Sequence, residues 1–257
     1  MRIRLTLAAL ASLSLLAAPV PASAAPAGHD DGDVVAEQVN ADGTINVTIW
    51  SPAPGVSAKE LYGQLKARNI AGLRDPAQSR RGARAEPVDC NIQGAYAWAR
   101  LCGTQRYHWS GSHPVIYFVD HSSGAWPVYE AAVQWNKSTA LDVGYRAPLV
   151  VCPSGGFCAY VRSGSYTDKC SSSTSWVGCT SLGLNSATRL IESATIRLND
   201  RFSSTYAANQ IVTCHELGHA LGLDHNLYTT SCMYWQRTSN GSRFPHTGDY
   251  LMLESVY

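Results

Sequence analysis

The sequence predicts an α+β fold, with short strands and three helices in its main part. Two observations predict it. Short apolar or alternating runs typical of strands occur at residues 114–119 (PVIYFV) and 193–199 (SATIRLN). Apolar residues at helical spacing occur at residues 125–137, 211–221 and 249–257.

The overall composition gives no strong electrostatic field. The 257 residues include 20 Lys and Arg against 19 Asp and Glu, for a formal net charge of +1. A near-neutral chain does not attract polyanions, so neither nucleic acid nor a membrane surface is expected as a partner. The length allows one sizeable domain and a smaller part, and we expect a monomer.

Residues 1–24 are predicted to be a secretory signal peptide. Arg2 and Arg4 supply a positive start, residues 5–18 form an apolar run too short to span a bilayer, and residues 22–24 (Ala-Ser-Ala) form a cleavage site of small residues. The two arginines are not adjacent, which favours general secretion over twin-arginine export. The mature protein is therefore expected to be extracellular, where disulfides persist.

Residues 25–88 are predicted to be a pro-segment. Residues 44–50 alternate like a strand, and Ser57 and Glu60 form a capping box that opens a helix to about Arg68. Residues 74–86 have the composition of an Arg-rich linker that is open to proteolysis. The alternative is a flexible linker to a small accessory domain. On either interpretation the main domain spans residues 89–257.

Within the main domain, residues 143–152 and 157–162 are predicted to form two strands on either side of a Pro-Ser-Gly-Gly turn. Ser123 is a candidate N-cap for the helix at residues 125–137. One stripe of this helix is expected to face the core, and it consists of Trp126, Tyr129, Ala132, Val133 and Asn136.

The candidate functional residues lie in residues 211–233, IVTCHELGHALGLDHNLYTTSCM. On a helix, His215 and His219 lie one turn apart on the same face, so both imidazoles can bind one cation, usually Zn²⁺. Glu216 lies beside the first histidine, where it can reach a zinc-activated water without being a ligand. Gly222 is expected to end the helix, because a residue without Cβ adopts the left-handed conformation easily. The reversed chain then returns His225 as a third ligand.

Three nitrogen ligands leave the fourth position of a tetrahedral zinc open, which is typical of a catalytic site. The other histidines have no ligand spacing, and no function is predicted for them: His29, His108, His113, His121 and His246.

The stretch from His215 to His225, H-E-x-x-H-x-x-G-x-x-H, is followed by Met233 in Ser-Cys-Met-Tyr and resembles the metzincin zinc endopeptidases, most closely their matrixin branch. The resemblance implies a metzincin (zincin-like) fold with a twisted, mixed β-sheet, in which Met233, the Met-turn residue, forms an apolar floor beneath the imidazoles. It also implies that helix 125–137 packs behind the sheet and that residues 249–257 form the closing helix.

The resemblance also implies how substrate binds. The strand at residues 193–199 alternates like an edge strand, and on this resemblance it would border the cleft and pair antiparallel with an extended peptide. Residues 234–247 would form the wall of the pocket for the side chain after the cut bond, with Tyr234 and Trp235 as an apolar lining.

Two regions depart from the matrixin pattern. Matrixin pro-segments often block the zinc with a cysteine, but none precedes Cys90, and its surroundings, Pro-Val-Asp-Cys-Asn-Ile, do not match that switch. Cys90 is therefore predicted to be structural, and the mechanism of latency stays open. Residues 163–185, where matrixins carry structural zinc and calcium, contain no histidine and only one acid, Asp168. These structural metals are therefore not carried over; one catalytic zinc ion is expected, and calcium binding stays open.

All eight cysteines lie in the main domain, as expected of a secreted protein with disulfides. Eight cysteines allow roughly a hundred pairings, so the connectivity is a hypothesis. The simplest set pairs neighbours: Cys90 with Cys102, Cys152 with Cys158, Cys170 with Cys179, and Cys214 with Cys232. The last bond would tie the metal-binding helix to the Met-turn.

These features predict a secreted zinc-dependent endopeptidase that acts on proteins or peptides, with Glu216 as the general base. Three alternatives remain. The third ligand could be an acid, Glu254 or Asp224, instead of His225. The chain could be a disulfide-rich binding module with a structural zinc, although such a site has no use for Glu216. It could also be a zinc hydrolase acting on a non-peptide bond.

Overall fold

The computed structural model describes residues 32–76, 91–97, 106–148, 151–166, 170, 174–236 and 241–257. The expected signal peptide lies outside these residues, as do the three arginines of the proposed linker (Arg80, Arg81 and Arg84), His29, Cys90, Cys102 and Asp168. The pairing of Cys90 with Cys102 therefore stays a prediction.

The elements in chain order are β1 (Val34–Val39), β2 (Ile45–Pro52), α1 (Ala58–Ala67), β3 (Ala95–Ala97), β4 (Val115–His121), α2 (Val128–Trp135), β5 (Asp142–Arg146), β6 (Phe157–Gly164), β7 (Trp176–Leu184), β8 (Ile191–Asn199), a 3₁₀ turn (Asp200–Phe202), α3 (Tyr206–Ala220), β9 (Leu223–Asn226) and α4 (Thr247–Val256). None of the helices in the described part of the chain has the length and apolarity that a membrane span requires.

The architecture is a mixed seven-stranded sheet in the order β1-β2-β7-β8-β6-β4-β5, with a separate two-stranded sheet, β3-β9. The pairs β8/β6, β6/β4 and β4/β5 are parallel, whereas β1/β2, β2/β7 and β7/β8 are antiparallel. Helices α2 and α3 pack together against the sheet, as the core contacts of Trp135 and Leu217 show. The expectation of an α+β fold with a mixed sheet and a backing helix agrees with this architecture.

The two strands around the Pro-Ser-Gly-Gly turn, β5 and β6, do not pair with each other. Each lies parallel to β4, on opposite sides of it. Strand β5 ends at Arg146, before the predicted end at residue 152. The Cys152–Cys158 disulfide closes the turn before β6, with a Cα–Cα distance of 5.9 Å.

The prediction that the strand at residues 193–199 lies at the edge of the sheet is wrong. Strand β8 lies inside the sheet between β7 and β6, and Ala194, Ile196 and Leu198 are buried. Strand β7 lies between β8 and β2. No strand was predicted at its residues. Its small residues, such as Gly178 and Thr180, gave no alternating apolar signal, although the strand is almost wholly buried.

Helix α2 begins at Val128, and Pro127 occupies the N-cap position without a side-chain cap. Ser123 is therefore not the N-cap; its carbonyl accepts a hydrogen bond from Trp126 N in the preceding turn. The predicted buried stripe is correct for Trp126 and Ala132 but wrong for three members, since Tyr129 is 56% exposed, Val133 is 42% exposed and Asn136 is also exposed. The buried face is shifted and consists of Val128, Ala131, Ala132 and Trp135.

The segment predicted to be the pro-segment forms part of the sheet. Strand β2 pairs with β7 along Ile45–Pro52, and β1 forms a hairpin with β2. Helix α1 begins at the predicted capping box, in which Ser57 Oγ accepts from Glu60 N and the Glu60 carboxylate accepts from Ser57 N. Its Leu61 and Leu65 pack with Trp50 in a second core cluster that also contains Trp176 of β7.

Candidate metal centre

Helix α3 carries the histidine motif on a fully packed helix. It begins earlier than predicted, with Thr205 as N-cap accepting a hydrogen bond from Ala208 N. Thr213 Oγ1 donates to Asn209 O at 2.8 Å, and all residues from Asn209 to Ala220 are buried. The imidazoles of His215 and His219 lie one turn apart, with ring centroids 4.5 Å from each other.

The predicted chain reversal occurs at Gly222, which has a φ of +96°. A Cβ at this position would lie 2.2 Å from Tyr107 O, so the turn requires both the left-handed conformation and the absence of a side chain. Strand β9 follows at once and carries His225 back to the helix. Its ring centroid lies 5.3 Å from that of His215 and 5.4 Å from that of His219.

The three imidazoles are oriented through their Nδ1 atoms. His215 Nδ1 lies 2.8 Å from Cys232 O, and His219 Nδ1 lies 2.9 Å from Leu223 O. A carbonyl oxygen only accepts, so each Nδ1 carries the proton and donates it. His225 Nδ1 lies 3.2 Å from Asp224 Oδ1. These contacts leave the Nε2 lone pairs of His215 and His219 for a cation, as is usual for metal-binding histidines.

A fourth group, which sequence reasoning missed, meets the three Nε2 atoms. Asp33 Oδ2 lies 3.2 Å from the Nε2 of His215, 2.9 Å from that of His219 and 3.1 Å from that of His225. These four ligand atoms all lie within 4.8 Å of one another. No sequence signal could have found Asp33, because it is separated from His215 by 182 residues and belongs to no motif.

Burial of the Asp33 carboxyl would by itself raise its pKa. When the imidazoles are also protonated at Nε2, the positive charges of His225 and His215, with hydrogen bonds from His215 and His219, outweigh burial and hold the pKa of Asp33 well below its usual value. The site therefore favours the ionised form of Asp33, provided that positive charge lies beside it. A cation bound between Asp33 and the three imidazoles would supply that charge.

Glu216 is fully buried and is held by two hydroxyl groups. Ser51 Oγ donates to Glu216 Oε1 at 2.5 Å, and Thr180 Oγ1 donates to Oε2 at 2.7 Å. The carboxylate lies directly over strand β7, because a Cβ on Gly178 would come within 2.1 Å of Oε1. Ser51 and Thr180, like Asp33, were not identified from the sequence.

Met233 lies under the metal-binding helix and is completely buried. A Cβ on Gly218 would lie 2.3 Å from Met233 Sδ, so the thioether fills the space at the glycine between the two helical histidines. Ser231 Oγ accepts from Met233 N, and Asn226 N donates to Met233 O at 2.7 Å. The turn is thereby joined to the strand that carries His225.

The predicted Cys214–Cys232 disulfide is present and joins the metal-binding helix to this turn. The predicted Cys170–Cys179 disulfide is also present and ends on strand β7. Cys214 O also accepts a hydrogen bond from Trp135 Nε1 at 2.9 Å, which joins α3 to α2. The C-terminal helix α4 contributes Asp249, whose carboxylate accepts from Asn226 Nδ2 and Ser231 Oγ.

The alternative ligand Glu254 is not part of the candidate site; its carboxylate accepts from Thr139 Oγ1 at 2.5 Å on the surface. Asp224 contacts only the Nδ1 side of His225. Among the remaining described histidines, His246 caps helix α4 by accepting from Gly248 N, and His108 Nδ1 contacts Trp109 O. His113 and His121 lie outside the cluster of possible ligands.

The chain matches the family model "Peptidase_M10: Matrixin" over residues 119–257, which is more than half of its length. No curated protein is significantly similar to it. The solved structures similar to it include metalloproteinase-II from Bacteroides fragilis, at 11% identity and a TM-score of 0.33, covering 87% of this chain and 76% of that one. That similarity is too low to bear on function.

A matrixin domain indicates a zinc metallopeptidase, with a zinc cofactor and protein substrates. The matched residues include the whole of helix α3 and the turn at Met233. On this match, the chain belongs to the matrixin family.

Proposed function

We propose that the chain is a secreted zinc endopeptidase, with residues 1–24 as signal peptide, 25–88 as pro-segment and 89–257 as a monomeric catalytic domain. The observation that carries the proposal is the convergence of three Nε2 atoms, from His215, His219 and His225, with the buried Glu216 next to His215 on the same helix. Family membership and the three disulfides of the described residues support it.

The residues present fit a zinc ion. With the Nδ1 protons of His215 and His219 donated to backbone carbonyls, their Nε2 atoms have only lone pairs to offer, and the Asp33 carboxylate is also an acceptor. Acceptors that converge in a buried site need a shared cation, and imidazole and carboxylate ligands suit Zn²⁺. When bound, zinc would supply Lewis-acid activation of a water molecule and of the peptide carbonyl.

Glu216 is the proposed general base. Its carboxylate lies beside the ligand His215 in sequence and is positioned by Thr180, so it can take a proton from the attacking water and pass it to the leaving amine.

Strand β7 is the proposed substrate-binding edge, in place of the strand at residues 193–199. Its only neighbour on the outer side is β2 of the pro-segment. Without β2, the backbone groups of β7 would be unpaired and could pair with an extended peptide. Binding through the backbone favours substrates of varied sequence.

One observation favours a second candidate function, a binding module with a structural zinc. Asp33 gives the site four protein ligand atoms, and structural zinc sites are closed in this way. The buried Glu216 argues against this candidate, since a structural site needs no base and an unused buried carboxylate is costly.

The test is to purify the secreted protein, remove residues up to about 87 with a trypsin-like protease, and incubate it with casein. We expect one zinc per chain and cleavage that a chelator abolishes. Zinc binding without cleavage of casein or a peptide library would favour the binding module. Absence of bound zinc would reject both candidates.

A further inference from the structure

We propose that the Asp33 carboxylate binds the zinc ion together with His215, His219 and His225 in the uncut chain, and that the β1-β2 hairpin thereby keeps the enzyme inactive. This inference rests on the proposed function. It concerns latency, for which the cysteine typical of matrixin pro-segments is missing here.

The position of Asp33 is that of a ligand. A single oxygen, Oδ2, is nearly equidistant from three Nε2 atoms, at 2.9 to 3.2 Å. The side chain is only 2% exposed, so solvent does not compensate its charge. A surface acid attracted loosely to histidines would not present one oxygen to all three rings.

The hairpin that carries Asp33 is firmly docked. Asp33 directly precedes β1, whose residue Val34 pairs with Trp50 of β2. Strand β2 pairs with β7 over eight registered positions and buries Val47 and Ile49 in the main core. Trp50 packs on the opposite side in the cluster with Trp176. The pairing of β2 with β7 and the packing of β2 in both core clusters therefore hold Asp33 in place at the histidines.

The same hairpin contacts the second half of the proposed catalytic apparatus. Ser51, the residue after Trp50 on β2, donates to Glu216 Oε1. On the other side of the site, Gly32 lies against the backbone of Trp235, since a Cβ on Gly32 would come within 1.6 Å of Trp235 O. The hairpin and the preceding Gly32 therefore lie between strand β7 and the residues after Met233. A substrate would have to enter at this place.

Cutting the linker would release this arrangement. The segment before the linker is tied to β1, because Arg74 N donates to Val35 O at 2.8 Å and the Arg74 guanidinium pairs with Glu37. The proposed linker begins at this point. After a cut between residues 75 and 88, only noncovalent contacts hold the hairpin. Its dissociation would free the fourth zinc position, the Glu216 carboxylate and the edge of β7 together.

The first experiment measures metal binding without relying on activity. In an uncut Glu216→Gln background, which prevents self-cleavage, zinc is replaced by Co²⁺ and the visible absorption is recorded for Asp33→Ala, Asp33→Asn and Asp42→Ala. Asp42 is a matched control, because it lies in the turn of the same hairpin and bonds only within it, to Thr44.

We expect both Asp33 variants to change the Co²⁺ spectrum and to weaken zinc binding by about tenfold or more, with no change in Asp42→Ala. Asp33→Asn keeps the shape of the side chain and covers the case in which Asp33→Ala does not fold. If both Asp33 variants retain the parent spectrum and affinity, Asp33 is not a ligand and the inference is wrong.

The second experiment measures latency in the chain that retains Glu216. After the linker is cut, the hairpin is held only by noncovalent contacts, so casein cleavage is measured as the cut protein is diluted. Cut Asp33→Ala should become active at a concentration about tenfold higher than the cut parent and cut Asp42→Ala, because its hairpin has lost the contact with the metal site. If all three cut proteins respond identically to dilution, the inhibitory role of Asp33 is refuted and the proposed function stands. If the cut wild-type protein is inert despite bound zinc, the proposed function fails instead.

Discussion

Ser51 and Glu216 are joined by a hydrogen bond of 2.5 Å, although 165 residues separate them in the sequence. Ser51 lies on a strand of the proposed pro-segment, whereas Glu216 lies on the metal-binding helix. In the uncut chain, therefore, the Glu216 carboxylate, which is the proposed base, is already hydrogen-bonded to the pro-segment. Thr180 on strand β7 is the partner that would remain after the pro-segment leaves.

Replacing Glu216 by Gln should separate metal binding from catalysis. Glutamine keeps the shape of the side chain and its contact with Thr180 but cannot accept a proton, so kcat/KM of the cut enzyme should fall about 100-fold or more. Zinc content should stay at one per chain. Glu192→Gln, at an exposed position on β8 where the carboxylate accepts from Asn185, is the control and should retain activity. Full activity of a clean Glu216→Gln preparation would remove Glu216 from its proposed role.

Replacing His225 by Ala should abolish stable zinc binding in the cut chain. Only two imidazoles would remain there, and Asp224 contacts only the far side of the ring that was lost. Zinc per chain after dialysis against a chelator is the measurement. Asp224→Ala and Glu254→Ala should both keep their zinc. Loss of zinc in either of these, with retention in His225→Ala, would identify an acid as the third ligand.

Removing the Cys214–Cys232 disulfide by a double substitution to Ala should reduce the free energy of unfolding by about 3 kcal/mol, because the bond closes a loop of 18 residues. It should also speed zinc release to a chelator, since Cys232 O orients His215. The control is the equivalent change at Cys152 and Cys158. Its loop of 6 residues predicts a smaller loss, about 2 kcal/mol, and unchanged zinc release. Equal zinc release rates in the two variants would show that the bond does not support the site.

The alkaline stability of the domain should depend on Tyr257. Its hydroxyl donates to Leu221 O at 2.8 Å, at the end of the metal-binding helix, and burial raises its pKa well above the usual value near 10. A raised pKa means that the folded state favours the neutral phenol. The stabilisation is therefore complete below pH 10 and is lost as the pH rises toward the raised pKa.

Urea unfolding at pH 7 and at pH 10.5 measures this effect. Tyr257→Phe should cost about 1 kcal/mol at pH 7, through the lost hydrogen bond, and should lose less additional stability at pH 10.5 than the parent does. Tyr129→Phe, at a side chain that is 56% exposed, is the control and should behave like the parent. Parallel pH profiles for Tyr257→Phe and the parent would contradict the prediction.

The parts of the protein that could be predicted from sequence are those that depend on neighbouring residues. The capping box at Ser57, the reversal at Gly222 and the pairing of His215 with His219 on one helical face follow from backbone geometry over a few residues. The disulfides between Cys152 and Cys158, Cys170 and Cys179, and Cys214 and Cys232 also join residues that are close in sequence.

The order of the strands and the fourth group at the histidines were decided only by the tertiary structure. Strand β7 has no alternating apolar pattern because it is buried on both faces, so its place beside β2 could not be recognised. Asp33 lies just before β1, Ser51 on β2 and Thr180 on β7, and no local periodicity connects these residues to the histidines and Glu216 that they contact. The sequence by itself determined the metal-binding helix, its reversal and its nearest disulfides, because short-range backbone geometry specifies them. Which residues close the site depends on strand pairing across the whole chain, and only the folded sheet establishes that pairing.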